Sequence, residues 1–297
     1  MNAFDHTHHR GLKTVVFATD FSECSKNAGN YASMLARQFG AELLAAHAFV
    51  LTQSAMEVEA GAGPIKQSAQ RKDLETALAG VAQHYGEGLK RAVPVLLEGD
   101  PREAIPRLAA EHAPSLIVMG TKGRGRVERG IVGSVADRIL RTTEGPSLTV
   151  GPEVPALDRN RGTFRRVLYA TGLSAAAARG ATYAVAMAEA FDAPLEVLHV
   201  VNPDDQTNPE RFSEVQREFE ALMRELVPAH ADTLTRPHCQ VEVGMAHTRI
   251  LEHLRVFHND LLVLSIRKSS HLWLQSRLSG AFHIISNAPC PVLTITG

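Results

Sequence analysis

Residues 13–22 read KTVVFATDFS, and residues 165–174 read RRVLYATGLS. The offset of 152 between these two stretches is kept through the segments that follow them. Further along the chain, at an offset of 145, SLIVMGTKG from Ser115 matches DLLVLSIRK from Asp260. Chance similarity would not keep register at both ends, so the sequence is one structural unit written twice.

The predicted boundary between the two units is the stretch GPEVPALDRNRG at residues 151–162. Its two prolines, two glycines and several charges are typical of a linker between compact units. A chain of 297 residues also has room for two domains of about 150 residues each. We therefore predict one domain over residues 1–153 and a second over residues 154–297.

Composition and charge are those of an ordinary globular protein. Hydrophobic residues make up 44% of the chain, and the formal net charge is -1, which indicates neither a nucleic acid nor an anionic membrane as a partner. The three cysteines are too few for a disulfide framework. The sequence shows no secretory signal and no apolar run of about 18 residues, so we expect a cytoplasmic protein.

Each unit alternates strand and helix. Residues 28–39 carry apolar side chains at helical spacing, and Gly40 follows as the expected helix end. Apolar strands separated by helices predict a parallel sheet covered on both faces. The fold predicted is therefore α/β, with two tandem, doubly wound, parallel five-stranded sheets. The strands of the first unit are VVFATD, ELLAAHAFV, VPVLLEG, SLIVMG and SLTVG, and a long polar helix is expected at residues 65–88.

A glycine-rich stretch, VMGTKGRGRVERGIVGS at residues 118–134, overlaps the end of the fourth predicted strand. Because glycine weakens a helix or strand by roughly 0.5–1 kcal/mol, such a cluster indicates either a loose loop or a backbone that a ligand approaches closely. Doubly wound sheets bind ligands at the carboxyl ends of their strands, which favours the second interpretation.

The end of this stretch predicts a phosphate site. Ser134 is placed to cap a helix, with Asp137 as a weak capping box, and a helix N-terminus suits phosphate. The simplest ligand is a nucleotide whose phosphates cross the loop and whose base lies between strands one and four. Positive charge around the loop comes from Lys122, Arg124, Arg126 and Arg129.

Two common nucleotide motifs are excluded. The Walker loop needs Lys and Ser or Thr after its second glycine, but Arg126 and Val127 follow Gly125. The dinucleotide fingerprint needs three glycines after the first strand, where this chain has ATDFSECS.

The chain resembles the universal stress protein family in a tandem, two-domain form, with an adenine nucleotide alpha hydrolase-like fold. The family's ATP-binding motif, G-x2-G-x9-G-[ST], matches Gly120, Gly123, Gly133 and Ser134. The resemblance implies that the phosphates lie on Gly123, Gly133, Ser134 and Val135, that Asp20 contacts the nucleoside, and that Ala48 faces the adenine. The full set of predicted cofactor-binding residues is Ala18, Thr19, Asp20, Ala48, Met119, Gly120, Gly123, Gly133, Ser134 and Val135.

The second unit departs from the motif. Ser265, Lys268 and Leu278 replace the three glycines, only Ser279 survives, and Gly172 stands where the first unit has Asp20. We therefore predict one ATP site per chain, with or without magnesium, and a second domain with a structural or regulatory role. The resemblance also implies that SLTVG and VLTIT, the fifth strands, pair within the chain as a pseudo-dimer, and it leaves open a homodimer of two chains.

Three functions are weighed. The first is an ATP-binding regulatory protein of a stress response, acting through an unknown protein partner. The second is a slow ATPase or phosphotransferase, for which the only acids near the loop are Glu98, Asp100 and Glu128. The third is a chaperone-like scaffold with a vestigial site, which fits the second unit. No catalytic residue is assigned, and binding is favoured over catalysis.

Histidines and cysteines raise two further possibilities. His47 and His199 occupy matched positions in the repeat, which favours a structural role. A zinc site in the second domain is kept as an alternative, because zinc takes N and S ligands, although their spacing matches no known signature. Its candidate ligands are His199, His238, Cys239 and His247.

Overall fold

A computed structural model of the chain describes residues 11–50, 63–123, 132–158, 162–172, 176–202, 209–226, 237–266 and 280–296. The first domain contains β1 (Thr14–Ala18), α1 (Glu23–Phe39), β2 (Glu42–Phe49), α2 (Gly63–Gly86), β3 (Ala92–Glu98), α3 (Pro101–Glu111), β4 (Ser115–Gly120), α4 (Ser134–Thr142) and β5 (Ser147–Val150). The second contains β6 (Val167–Ala170), α5 (Ala176–Phe191), β7 (Leu195–Val201), α6 (Pro209–Leu226), β8 (His238–Val243), α7 (Ala246–Phe257), β9 (Leu261–Ile266), α8 (Gly280–Asn287) and β10 (Val292–Thr296).

The strands form one sheet in the order β3-β2-β1-β4-β5-β10-β9-β6-β7-β8. Every neighbouring pair is parallel except β5 and β10, which run antiparallel with Leu148 opposite Leu293. The α/β fold and the tandem domains are as predicted. The two predicted five-stranded sheets join through their fifth strands into a single ten-stranded sheet. The exact boundary at residues 153 and 154 stays a prediction.

Helix α1 shows how local sequence sets an element. The side chain of Ser22 accepts a hydrogen bond from the Ser25 amide and so caps the first turn. Gly40, at φ 63, ends the helix in the left-handed conformation that glycine adopts without a steric cost, as predicted. Leu35, on the face of α1 that packs on the sheet, is fully buried. Burying one such side chain contributes about 1.5–3 kcal/mol to the free energy of unfolding.

The core on this face of the sheet runs through both domains. Phe164, at the end of the linker, stacks on Tyr31 of α1 with ring centroids 6.1 Å apart. The same ring meets the edge of Phe191 of α5 at 4.9 Å. The linker therefore ends in a buried aromatic contact that joins the first helices of the two domains. In the described part of the chain, no helix is long and apolar enough to cross a membrane.

The predicted cap of α4 was wrong. Gly133, not Ser134, occupies the N-cap position, with φ -62 and ψ 151, and Ser134 is the first helical residue. The Gly133 amide donates to the Thr121 carbonyl at 2.7 Å, which fixes this extended entry into the helix. Asp137 forms no capping box, because its carboxylate lies 2.9 Å from the guanidinium of Arg141 one turn later.

Candidate functional site

A cavity of about 320 Å³ opens at the carboxyl ends of β1, β2 and β4. Strand order reverses between β1 and β4, which is where doubly wound sheets bind ligands. The structure brings all ten predicted cofactor-binding residues to the wall of this cavity, although their role as ligands stays a prediction. They are Ala18, Thr19, Asp20, Ala48, Met119, Gly120, Gly123, Gly133, Ser134 and Val135.

The turn after β1 directs Asp20 into the cavity. Oδ1 of Asp20 accepts a hydrogen bond from the Ser22 amide at 3.0 Å, so the carboxylate is held in one orientation. Phe21 adopts φ 63, an uncommon conformation for a residue with a large side chain. Its amide donates to Oγ1 of Thr19 at 3.0 Å, which helps to hold the turn.

Glycines of the motif lie where a side chain would collide with these groups. A Cβ on Gly123 would lie 2.7 Å from Oδ2 of Asp20. A Cβ on Gly120 would lie 3.0 Å from Sγ of Cys24, whose thiol donates to the Val150 carbonyl at 3.3 Å. The loop backbone therefore packs directly on the first turn of α1, and only glycine fits without movement.

The N-terminus of α4 forms the other side of the cavity. The amides of its first turn, at Ser134 and Val135, have no acceptor within the helix, and the positive end of the helix dipole lies with them. Since the Gly133 amide is used by Thr121, Gly133 would serve a ligand by lacking a side chain. Lys122 also lines the cavity, whereas Arg124, Arg126 and Arg129 lie outside the described residues.

Several wall residues were missed by the sequence reasoning. Ile105 of α3 and Ile139 of α4 supply apolar surface opposite Ala48, and Pro101 begins α3 at the rim. The sequence did contain a sign of one of them, because the same residue type, isoleucine, stands at the matching positions 105 and 250 of the two units. His47, given a structural role, has it through its Nδ1, which donates to the Thr19 carbonyl at 2.7 Å, but it also lines the cavity.

The acids weighed for catalysis do not line the cavity as the structure describes it. Asp100 caps α3, and its hydrogen bonds from Arg102 lower its pKa to about 2, which makes it a poor base. Glu98 lies 3.8 Å from Arg71 on the surface. Glu128 lies outside the described residues. Among the described wall residues, Asp20 is the one carboxylate.

The sequence model of the universal stress protein family matches this chain twice, at residues 11–151 and 163–296. The chain belongs to the universal stress protein family. The double match confirms the predicted tandem form.

Curated relatives agree with this membership, and a solved structure has the same fold. A universal stress protein of Methanocaldococcus jannaschii is 30% identical over 138 residues, which cover 46% of this chain and 81% of that protein. One from Thermus aquaticus is 32% identical over 140 residues, 47% of this chain and 98% of its own. A universal stress protein structure from Archaeoglobus fulgidus shares the fold over 95% of this chain and 98% of its own, with a TM-score of 0.73 at 21% identity.

The second universal stress domain has a different crevice at the matching position, a cavity of about 690 Å³. Ser265, in place of Gly120, lies 3.1 Å from the Tyr169 hydroxyl, which also donates to the Ala177 carbonyl at 2.7 Å. Gly172 supplies no carboxylate there. Lys268, Leu278 and Ser279 lie outside the described residues.

Of the alternative zinc ligands, His199 and His247 line the same crevice of the second universal stress domain, whereas His238 and Cys239 do not. His238 and Cys239 begin β8, beside Glu196 and Val197 near the amino end of β7. His199 lies toward the carboxyl end of β7, where its Nδ1 donates to the Thr171 carbonyl at 3.0 Å. His247 belongs to the first turn of α7, beyond the carboxyl end of β8. No group of three or more metal-ligating side chains occurs among the described residues.

Proposed function

We propose that the first universal stress domain binds ATP or a closely related adenine nucleotide, and that the bound state regulates a protein partner in a stress response. The observation that carries this proposal is the fit between Gly123 and Gly133 and their neighbours. At both positions the backbone lies against a fixed oxygen, of Asp20 and of Thr121, beside an open helix N-terminus. The helix N-terminus is the part that suits an anion, and the two positions without side chains keep the approach to its amides open.

The cavity offers separate surfaces for each part of a nucleotide. Ala48, Met119 and Ile105 provide apolar contacts for a base. The carboxylate of Asp20 is an acceptor for ribose hydroxyls, since ionised carboxylates only accept hydrogen bonds. The first turn of α4 and Lys122 would hold the phosphates. A volume of about 320 Å³ is at the lower end of the range for small-molecule pockets.

Binding without efficient hydrolysis follows from the groups around the cavity. Phosphoryl transfer needs a residue that orients the nucleophile, usually an acid or amide near the transferred phosphate. Asp100 and Glu98 are engaged by arginines, and Asp20 is turned toward Gly123. We infer that magnesium, if bound, accompanies the nucleotide, and that the second domain is structural or regulatory.

Isothermal titration calorimetry with ATP, in the presence and absence of magnesium, tests the proposal. We expect one site per chain, and loss of binding in Gly133→Leu, which places a leucine against the Thr121 carbonyl. Leucine is also the residue at the matching position of the second unit's sequence, Leu278. Gly80→Leu is the matched control, because a Cβ at this exposed helical glycine meets nothing within 4 Å. Absence of ATP binding by the wild-type protein would exclude this function, and unchanged binding by Gly133→Leu would exclude this site.

A further inference from the structure

A groove, called the first groove below, lies between the two domains at the amino ends of β4 and β5, whereas the proposed nucleotide site lies at the carboxyl ends of the strands. This first groove has a volume of about 690 Å³. On one side it is lined by Pro114 and Pro146, which precede β4 and β5. On the other side lie Arg179 and Tyr183 of α5, with Thr296 at the end of β10.

The pseudo-symmetry of the chain places a matching groove of about 580 Å³ on the other side of the molecule. Asn259, Pro291 and Tyr31 line it, at the positions that correspond to Pro114, Pro146 and Tyr183 in the repeat. This linker groove is also lined by the interdomain linker, at residues 155–158 and 162–165. One groove of the pair therefore shows which kind of segment such a surface receives.

The linker is held in its groove by polar and apolar contacts. Asn27 of α1 donates to the carbonyls of Val154 and Pro155 at 3.2 and 3.1 Å, and its side-chain oxygen accepts from the Leu157 amide at 3.2 Å. Leu157 packs against the shared core, and Phe164 is only 2% exposed. The anchor is a short segment whose Leu157 packs on the core, followed by the buried Phe164 shortly before β6.

The same pattern occurs in the sequence before β1. Residues 3–5 read Ala-Phe-Asp, and residues 156–158 of the linker read Ala-Leu-Asp. Leu12, like its repeat partner Phe164, is 2% exposed. The Lys13 amide donates to the Pro114 carbonyl at 3.1 Å, so the chain enters β1 at the rim of the first groove. Seven residues separate Phe4 from Leu12 and six separate Leu157 from Phe164, so the two segments have nearly the same reach.

We propose that residues 3–5 dock in the first groove, with Phe4 seated as Leu157 is in the linker groove. The charged residues that line the groove are Arg107, Arg179 and Glu144, a net positive set that supports an occupant with a carboxylate. Arg179 replaces Asn27 in the repeat, and a guanidinium can donate to backbone carbonyls as the Asn27 amide does. Unlike Asn27, it also attracts a carboxylate, which Asp5 supplies next to Phe4. Docking on α5 would tie the N-terminal segment of the first domain across to the second domain.

Limited trypsin digestion of the native protein, with cleavage after Arg10 followed by intact mass, tests the docking. Because cleavage of a transiently opened segment follows its open population, we expect Phe4→Ala to accelerate cleavage on the order of 10-fold. Phe4→Leu, which copies the linker's own side chain, should keep the wild-type rate. Leu157→Ala is the matched control in the linker groove and should leave cleavage after Arg10 unchanged. Equal rates for Phe4→Ala and the wild type would overturn the proposal.

A photo-crosslink locates the segment directly. Phe4 is replaced by p-benzoylphenylalanine, and the crosslinked peptides are identified in an equal mixture of isotope-labelled and unlabelled full-length chains. We expect crosslinks to peptides that contain Tyr183 or Pro146, within one chain. Crosslinks between labelled and unlabelled chains would assign the groove to a second copy, and crosslinks elsewhere would leave it without this occupant; either result would overturn the proposal.

Discussion

At the scale of single residues, the two repeats differ in which member of a contacting pair carries the larger side chain. Gly120 packs against Cys24 in the first domain. At the same two positions the second domain has Ser265 and Ala176, and the serine hydroxyl lies 3.1 Å from that of Tyr169. The gap between the fourth strand and the first helix is therefore filled from opposite sides in the two domains.

This exchange predicts the effect of Gly120→Ser on stability. The new Cβ would lie 3.0 Å from the Cys24 thiol and 3.1 Å from its carbonyl carbon, so α1 must shift, at a cost of about 1–3 kcal/mol. Cys24→Ala in the same chain should recover part of that loss. The measurement is the free energy of unfolding in urea, with Gly80→Ala as a control that should be neutral or stabilising. Equal losses with and without Cys24→Ala would show that the thiol is not the obstacle.

Residue positions in the candidate site were predictable where the signal is local. The glycine spacing and the strand-end rule indicated where the cavity lies, and the family resemblance supplied individual residues such as Asp20 and Ala48, all of which line its wall. The N-cap was missed because it depends on the bond from the Gly133 amide to Thr121, a contact that no spacing in the sequence encodes. Ile105 was missed because its helix faces the cavity only after the sheet has formed.

At the scale of elements, α7 packs on β7 and β8 through a charged cluster. Both ring nitrogens of His253 lie 3.1 Å from carboxylate oxygens, Nε2 from Glu196 and Nδ1 from Glu242. The histidine side chain is 1% exposed, and Asn259 also donates to Glu196 at 3.0 Å. In the first domain the positions of the histidine and the two acids are all leucine, namely Leu108, Leu44 and Leu97.

The cluster predicts a pH-dependent stability. Burial lowers the pKa of His253, but its hydrogen bonds to Glu196 and Glu242 outweigh burial and raise it overall, while the bond from His253 lowers the pKa of Glu196. The histidine contribution is present below the unfolded pKa of about 6.5 and is lost as pH rises through the folded value. The Glu196 contribution is present above its unfolded pKa of about 4.3 and is lost as pH falls through the folded value, so the cluster stabilises most between these limits.

Two variants separate the charge from the packing. His253→Leu leaves two carboxylates without their partner and should cost about 1–3 kcal/mol at mildly acidic pH, with a smaller loss in alkali. The triple variant Glu196→Leu, Glu242→Leu and His253→Leu copies the first domain at these three positions and should lose less stability than His253→Leu, with a flat profile; its remaining loss is the bond that Asn259 donates to Glu196. Urea unfolding from about pH 5.5 to 8.5 measures both. If the single variant ran parallel to the wild type throughout, the cluster would not titrate as stated.

Sequence reasoning missed this cluster for a physical reason. Its three members lie on two strands and a helix, far apart in the chain, and they meet only because the sheet register aligns β7 with β8. The zinc hypothesis did not include His253; its candidate ligands were His199, His238, Cys239 and His247. The positions of helices and strands, by contrast, follow from local apolar spacing and from residues that end a helix, such as Gly40. The sequence therefore predicted these elements well.

At the scale of the whole molecule, the joint between β5 and β10 makes the two domains one sheet. Leu148 and Leu293 face each other across the joint, and both are fully buried. We expect Leu148→Ala to lower the stability of the whole chain by about 2–5 kcal/mol, because the cavity forms in a core shared by both domains. Far-UV circular dichroism, and peptide-resolved hydrogen exchange in urea followed at β1 and β6, should report a single shifted transition.

A matched control for this substitution is Val256→Ala, whose side chain is 67% exposed and which should leave the transition in place. Two separate transitions, with hydrogen exchange at β6 unchanged by Leu148→Ala, would show that the domains unfold independently. The repeat predicted two domains from sequence alone, whereas the joint between them was expected only from the family resemblance, since strand pairing between distant segments leaves little trace in one sequence.

The joint also has a consequence for how the two crevices can differ. In a homodimer, symmetry makes both subunits carry the same residues, so a substitution that closes one crevice closes the other as well. Here the linker from Val150 to Val167 joins the paired halves covalently, and dilution cannot separate them. Each half is therefore free to carry its own substitutions, and the second can have Gly172 and Ser265 while the first keeps Asp20 and Gly120.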